Sequence, residues 1–473
     1  MQKNIYYDEG AKGLLLLLLI AQLFFTNGIY LFVGAGIFAM IFYYLQQPHK
    51  PTVFSIIFIY HFIQVAAGIW LSNYLGKDIN FRSLNSATAI LIGYIGLVIL
   101  FAPIIYFHNK IPTINWQTLQ LHASRLSIDN TFKAYIIGFF AINAMAGVAF
   151  VFSGITQIIF SLVKVKWFLF LLFGFQVFIK KQKQKEFWFF AAFEFLSGFV
   201  SYFSDFKTVL FFLIFLFLFF LKTVSLRQLF FSIIAGVIVF YGMAFFQGIK
   251  GDYRNFLNKG TTNQVVDVSK EDALGKLFEL SQTKEEGTMD KSITSFLDRF
   301  QYTYHLAKTM EMVPAKIPYQ NGANWGKTLE FSLTPRLLNP NKPVLEASVK
   351  ATKYTGIGYA GAAKGVSVSL GYFADGYIDF GMIGMFIPIL ILGYVLGSTY
   401  YYFIRKSSNN YLFNFAVVGA MYMEFFAFEM DSTFLAGRLF ATLLTFLLLK
   451  ILFFPWLMRI LTRPEGERVK GER

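Results

Sequence analysis

The strongest constraint on this chain is a succession of apolar runs about as long as a bilayer is thick, interrupted once by a polar stretch long enough to fold. The runs fall at 14–26, 29–45, 52–74, 84–107, 132–158, 161–179, 187–202, 207–221, 228–248, 376–403, 411–430 and 433–458. Of 473 residues, 56% are hydrophobic and only 15% charged. A soluble core has no use for so much apolar surface, whereas repeated spans of about 20 residues do. In hydrocarbon only helices and closed barrels satisfy every backbone N–H and C=O. None of the runs shows the period-2 alternation of a barrel strand. The expected fold is therefore an all-α polytopic membrane protein of about twelve transmembrane helices.

The first run, Leu14 to Phe25, follows Lys12 as a signal peptide would. No small-x-small cleavage site appears and apolar sequence resumes at Ile29, so it reads as a retained span. Phe is abundant, and Phe211 to Phe220 reads as lipid-facing filler. The formal net charge of +15 points to cytoplasmic loops rich in Lys and Arg rather than to nucleic acid. With no cysteine, disulfides, iron–sulfur clusters and thiol nucleophiles are excluded.

Orientation follows from the basic loops. The run Lys180-Lys181-Gln182-Lys183-Gln184-Lys185 is placed in the cytoplasm by the positive-inside bias. Counting spans from it, Lys50, the segment Lys110 to Lys133, Lys222 with Arg227, Arg405 with Lys406, and the tail from Arg459 fall on the same side. Lys164 and Lys166 do not fit the count. Both termini come out cytoplasmic, and the long polar stretch extracytoplasmic. The chain divides into an N-terminal bundle of nine spans (1–248), an extracytoplasmic loop (249–375), three C-terminal spans (376–458) and a cytoplasmic tail (459–473).

The loop changes character along its length. Lys250 to Asp290 is acidic and polar; from Lys291 to Lys364 basic residues outnumber acidic ones. Ser292 to Met312 has one helical face, with Ile293, Phe296, Leu297, Phe300, Tyr304 and Leu306, and reads as a helix along the membrane surface ended by Pro314. Ser348 to Ser369 is rich in Gly and Ala and reads as a flexible connection. A basic cavity at the membrane surface suits a phosphate-bearing ligand, and Arg is the best phosphate reader because its planar fork bonds two oxygens. The candidates are Lys250, Arg254, Arg299, Lys327, Arg336 and Lys342, each of which can equally be a solvated cation. Asp375 and Asp379, four residues apart, share one helix face. They suit a base or a hydroxyl-orienting pair, or simply carboxylates favourable to a helix N-terminus. His305 is a further candidate base. Glu424, Glu429, Asp431 and Arg438, within or beside the last two spans, are functional candidates by position, and Glu429 and Asp431 read equally as markers of the surface turn. No metal-ligand spacing, phosphate-binding loop or GxSxG elbow is present.

Three stretches, in their order and spacing, carry a resemblance: Lys250-Gly251-Asp252-Tyr253-Arg254 directly after a span; Arg299-Phe300, Val313-Pro314, Gly326-Lys327-Thr328 and Thr334-Pro335-Arg336-Leu337-Leu338-Asn339-Pro340-Asn341-Lys342-Pro343; and Leu370-Gly371 through Asp375-Gly376-Tyr377-Ile378-Asp379-Phe380-Gly381. The chain resembles the Wzy-type oligosaccharide repeat-unit polymerases, relatives of the O-antigen ligases. That resemblance implies a GT-C-like fold. It also implies metal-independent, cofactor-free transfer of a glycan from undecaprenyl pyrophosphate to a second lipid-linked unit. Arg254, Arg299 and Arg336 would hold the diphosphate, assisted by Lys250, Lys342 and Lys327. Asp375, Asp379 or His305 would serve the acceptor. Implied partners are the lipid-linked donor and acceptor, the bilayer, a chain-length regulator and a flippase. A ligase of the same architecture is the nearest alternative. A flippase for lipid-linked sugars is the alternative of another class, and the internal repeat many transporters show is not visible.

Overall fold

The apolar runs form helices throughout a computed structural model that describes residues 5–148, 156–199, 206–261, 266–282, 288–334, 339, 346–359, 367–426 and 429–462. The N-terminal half contains α1 (Glu9–Ala21), α2 (Gly28–Leu45), α3 (Val53–Tyr74), α4 (Ser86–Asn109), α5 (Trp116–Ser124), α6 (Ile128–Val148), α7 (Thr156–Lys180), α8 (Gln184–Phe199), α9 (Phe206–Phe220) and α10 (Leu226–Leu257). The polar stretch forms α11 (Lys270–Gln282), α12 (Thr288–Phe300), α13 (Tyr302–Met312), α14 (Ala323–Leu333) and α15 (Ala347–Thr355). The chain ends with α16 (Tyr372–Gly384), α17 (Phe386–Lys406), α18 (Tyr411–Tyr422), α19 (Ser432–Leu452) and α20 (Phe454–Leu461). Among the described residues seven helices are long and apolar enough to cross a membrane: α2, α3, α4, α7 from Ser161, α10, α17 and α19. The protein is an all-α membrane protein.

The interior is close-packed and aromatic. Phe212, Phe215 and Phe219 of α9 are buried against Trp167 and Phe175, so this side of the Phe-rich run is core rather than lipid-facing. α4 and α17 approach at van der Waals distance because α17 carries a small-xxx-small face. A Cβ built on Gly393 would lie 2.2 Å from the Leu100 carbonyl oxygen, and such faces let helix backbones meet. Lys164 and Lys166, which broke the charge count, are buried in α7 rather than in a loop. Lys166 pairs with Glu194 of α8 at 2.9 Å and Lys164 donates to Thr442 of α19 at 2.6 Å.

The polar stretch is helical and packs back onto the spans. The single helix expected over 292–312 is two helices that break at Gln301: α12 lies against α3 and α10, whereas α13 sits among α3, α4, α15 and α16. Residues 348–355 of the expected flexible connection lie in α15, whose Ala347, Ala351 and Tyr354 are buried. The expected boundaries at 248 and 375 fall inside α10 and α16. The expected span from 376 is split, because Gly381 (φ 70°, ψ −169°) kinks the end of α16 and α17 begins at Phe386. Only a residue without Cβ adopts that conformation at little cost.

Candidate functional site

A polar pocket lies where α3, α9, α10 and α12 meet the segment before α19. It is lined by Tyr60, Lys207, Gln247, Lys250, Arg299 and Glu429, with Phe206, Met243, Phe246, Phe296 and Phe300 as its apolar wall. α12 brings Arg299 there because its apolar face recurs every three to four residues. Ile293 and Leu297 are buried with Leu71 of α3 and Ala244 of α10, and Trp70, Phe240 and Phe296 close over them. Burying side chains of this size contributes about 1.5–3 kcal/mol each. Two polar ties fix the same helix: Tyr74 Oη donates to Asp290 at 2.6 Å and Arg82 forms an ion pair with Asp298.

The charges in the pocket are mutually close. Lys250 feels the fields of Arg299, Arg254 and Lys207, and of the carboxylate of Glu429. Lys250 and Arg254 are one turn apart on α10, which continues as helix past the apolar part of the span. Among the described residues no carboxylate lies within ion-pair distance of Lys250 or Arg299. Glu429 accepts from Gln64 Nε2 at 3.0 Å through Oε2. The cavity is about 60 Å³, room for an anionic group and water. Lys250 and Arg299, which make no ion pair among the described residues, mark the pocket as an anion site, and phosphate oxygens are its natural ligands.

The carboxylates expected to act in catalysis are occupied elsewhere. Asp375, wholly buried, lies 2.6 Å from Lys350 Nζ of α15 through Oδ1. Its Oδ2 accepts from the Ser432 amide at 2.8 Å and hydroxyl at 2.7 Å. Thr328 of α14 joins the same cluster, 3.0 Å from Ser432 Oγ. Burial alone would lower the Lys350 pKa, but the contact with Asp375 outweighs it and holds the ammonium above its ordinary value. Asp431, which caps α19 by accepting from Phe434 N, is pushed up by burial and then by the charge of Asp375. Asp379 caps α14, accepting from Asn324 Nδ2 and Trp325 N, both at 2.8 Å, and from Asn324 N at 3.3 Å. The two aspartates share a face of α16, as their spacing requires, but each fastens a different helix.

His305 Nδ1 is 2.9 Å from Tyr359 Oη, and burial pulls its pKa down to about 4. Lys327 is exposed on α14. Arg336 and Lys342 lie outside the described residues. Lys250, Arg254 and Arg299 are thus brought together, and Asp375, Asp379 and His305 are not among the groups lining their pocket. The sequence reading missed Lys207 and Lys350. Lys207 carried a signal, a lone ammonium at the start of an otherwise apolar span. Lys350 carried none, since its neighbourhood looks like a linker.

Fold and site together define an all-helical membrane protein with a cation-lined pocket in its polar region. The chain belongs to the family described as Domain of unknown function (DUF8712), whose model matches residues 79–454. It matches no curated protein and no solved structure.

Proposed function

We propose that the protein is a polysaccharide polymerase of the bacterial inner membrane. It joins undecaprenyl-pyrophosphate-linked oligosaccharide repeat units at the extracytoplasmic face, through a GT-C-like bundle of about twelve spans of the kind bilayer thickness requires. The observation that carries this reading is the convergence of Lys207, Lys250 and Arg299, with Arg254 one turn on, at a single pocket. Glycosyl transfer from a lipid diphosphate leaves negative charge on the departing oxygen, and preorganised cations in a shielded site stabilise that charge as it develops. An apolar cavity of about 680 Å³ between α2, α3 and α4 and the largely unburied apolar stretch of α10 offer hydrocarbon-compatible surface near the pocket. Trp70 borders both that cavity and the contact that seats α12. Arg336, Lys342 and Lys327 are the further cations that the resemblance assigns to the diphosphate.

The test uses the purified full chain in liposomes with a defined lipid-diphosphate-linked repeat unit and no nucleotide sugar. Glycans of two or more repeats support the reading, and the Lys250→Ala/Arg299→Ala double variant is expected to make none. In the producing cell, Arg336→Ala is expected to leave single repeats on the carrier. Movement of labelled lipid-linked substrate across the bilayer without a new glycosidic bond would replace the polymerase by a transporter.

A further inference from the structure

Of the described residues lining the cation pocket, Glu429 alone is a carboxylate. It is half-buried and anchored through one oxygen only. Oε2 accepts from Gln64 Nε2 at 3.0 Å, while among the described residues Oε1 accepts no hydrogen bond. Its charge reaches Lys250 on α10, Tyr60 on α3 and Tyr302 on α13, and Arg299 on α12 acts on the same three groups. Lys207 on α9 lines the same wall, and Arg254 follows Lys250 by one turn. The other candidate bases are tied elsewhere: Asp375 to Lys350 and Ser432, Asp379 to the start of α14, His305 to Tyr359. Glu429 makes no ion pair with Lys250 or Arg299 among the described residues.

We infer that Glu429 is the proton acceptor for the acceptor sugar hydroxyl, positioned by Gln64. This rests on the proposed glycosyl transfer. The acceptor oxygen bonds to the anomeric carbon as the bond from that carbon to the lipid diphosphate breaks. The diphosphate leaves with the electron pair, and the hydroxyl proton passes to Glu429 Oε1, from which water later removes it. A base lining the same pocket as the leaving-group cations receives the proton where the new bond forms, and base catalysis of this kind is worth about 10²–10⁴-fold in rate.

The experiment measures transfer by the full chain in liposomes, with a defined lipid-diphosphate-linked repeat unit, across a pH series. Binding of undecaprenyl diphosphate to the same samples is measured alongside. Glu429→Gln is expected to lower kcat by about 10²–10⁴-fold, with little change in KM, and to abolish the acid limb of the pH–rate profile. Binding of undecaprenyl diphosphate is retained or tightened, because one negative charge has gone. Glu429→Asp keeps the charge at shorter reach and is expected to be slowed while keeping the acid limb; it carries the test if the Gln variant does not elute as a folded species. A Gln variant with wild-type kcat and profile, or an Asp variant that loses the acid limb, overturns the assignment and leaves the polymerase reading standing. A wild-type protein that forms no glycosidic bond overturns both.

Discussion

Lys350→Met tests whether the Asp375 cluster holds the polar region to the spans. Asp375 has no exposure, and Lys350 is 24% exposed at its side chain. Removing one partner of a buried pair costs about 3–5 kcal/mol, because the other charge stays buried alone. The low end applies here, since Ser432 still donates two hydrogen bonds to Asp375. A loss of about 3 kcal/mol is roughly two decades in the unfolding equilibrium at 1.4 kcal/mol per decade. The assay is reversible unfolding of the full chain in mixed micelles, for Lys350→Met, Asp375→Asn and the double variant. Removing both charges leaves no uncompensated carboxylate, so the double variant should recover about 2 kcal/mol relative to the sum of the single losses. The sign with pH is fixed by the Lys350 shift. A raised folded-state value means the stabilisation is complete below the ordinary 10.5 and is lost as pH climbs through the folded-state value. A Lys350→Met protein within about 0.5 kcal/mol of wild type, or strictly additive singles, would refute the reasoning.

Three further outcomes follow from the same polar contacts. Asp379→Ala should cost about 2–3 kcal/mol, since it strands the Asn324 and Trp325 amides; hydrogen exchange over residues 323–333 should quicken while α4 stays protected. Asp431→Asn keeps an N-cap acceptor and removes a carboxyl whose pKa burial has raised. It should match or exceed wild-type stability at neutral pH, and it should lack the gain wild type shows as pH falls from neutral toward 3.8. Desolvation draws the pKa of half-buried His305 from 6.5 down to about 4, so wild type should lose stability as pH falls through that window, by as much as about 3 kcal/mol. His305→Gln should flatten the slope, and an unchanged slope would assign the acid sensitivity to another group.

How much was legible varied from element to element. α3, α4 and α17 were readable because an apolar run long enough to span a bilayer has few other ways to satisfy its backbone. The face of α12 was readable from Ile293, Phe296, Leu297 and Phe300, but the break at Gln301 was not. That break follows from what α13 packs against: Leu306 and Ala307 are buried among α3, α4, α15 and α16. α15 looked like a linker because Gly and Ala are read as flexibility when the helices that will cover them are unknown.

The sequence by itself determined that this chain is a helical membrane protein with one long polar region, and that Lys250, Arg254 and Arg299 are its notable cations. Those conclusions depend on local quantities, namely apolar length, charge and spacing. Only the tertiary structure decided what each polar group faces. It brought Lys207 and Glu429 to Lys250 and Arg299, and it tied Asp375 to Lys350 and Ser432 and Asp379 to the start of α14. The physical reason is that a buried charge is defined by its partners. Lys350 lies 25 positions before Asp375 and Ser432 lies 57 after it, separations over which one sequence carries no pairing signal.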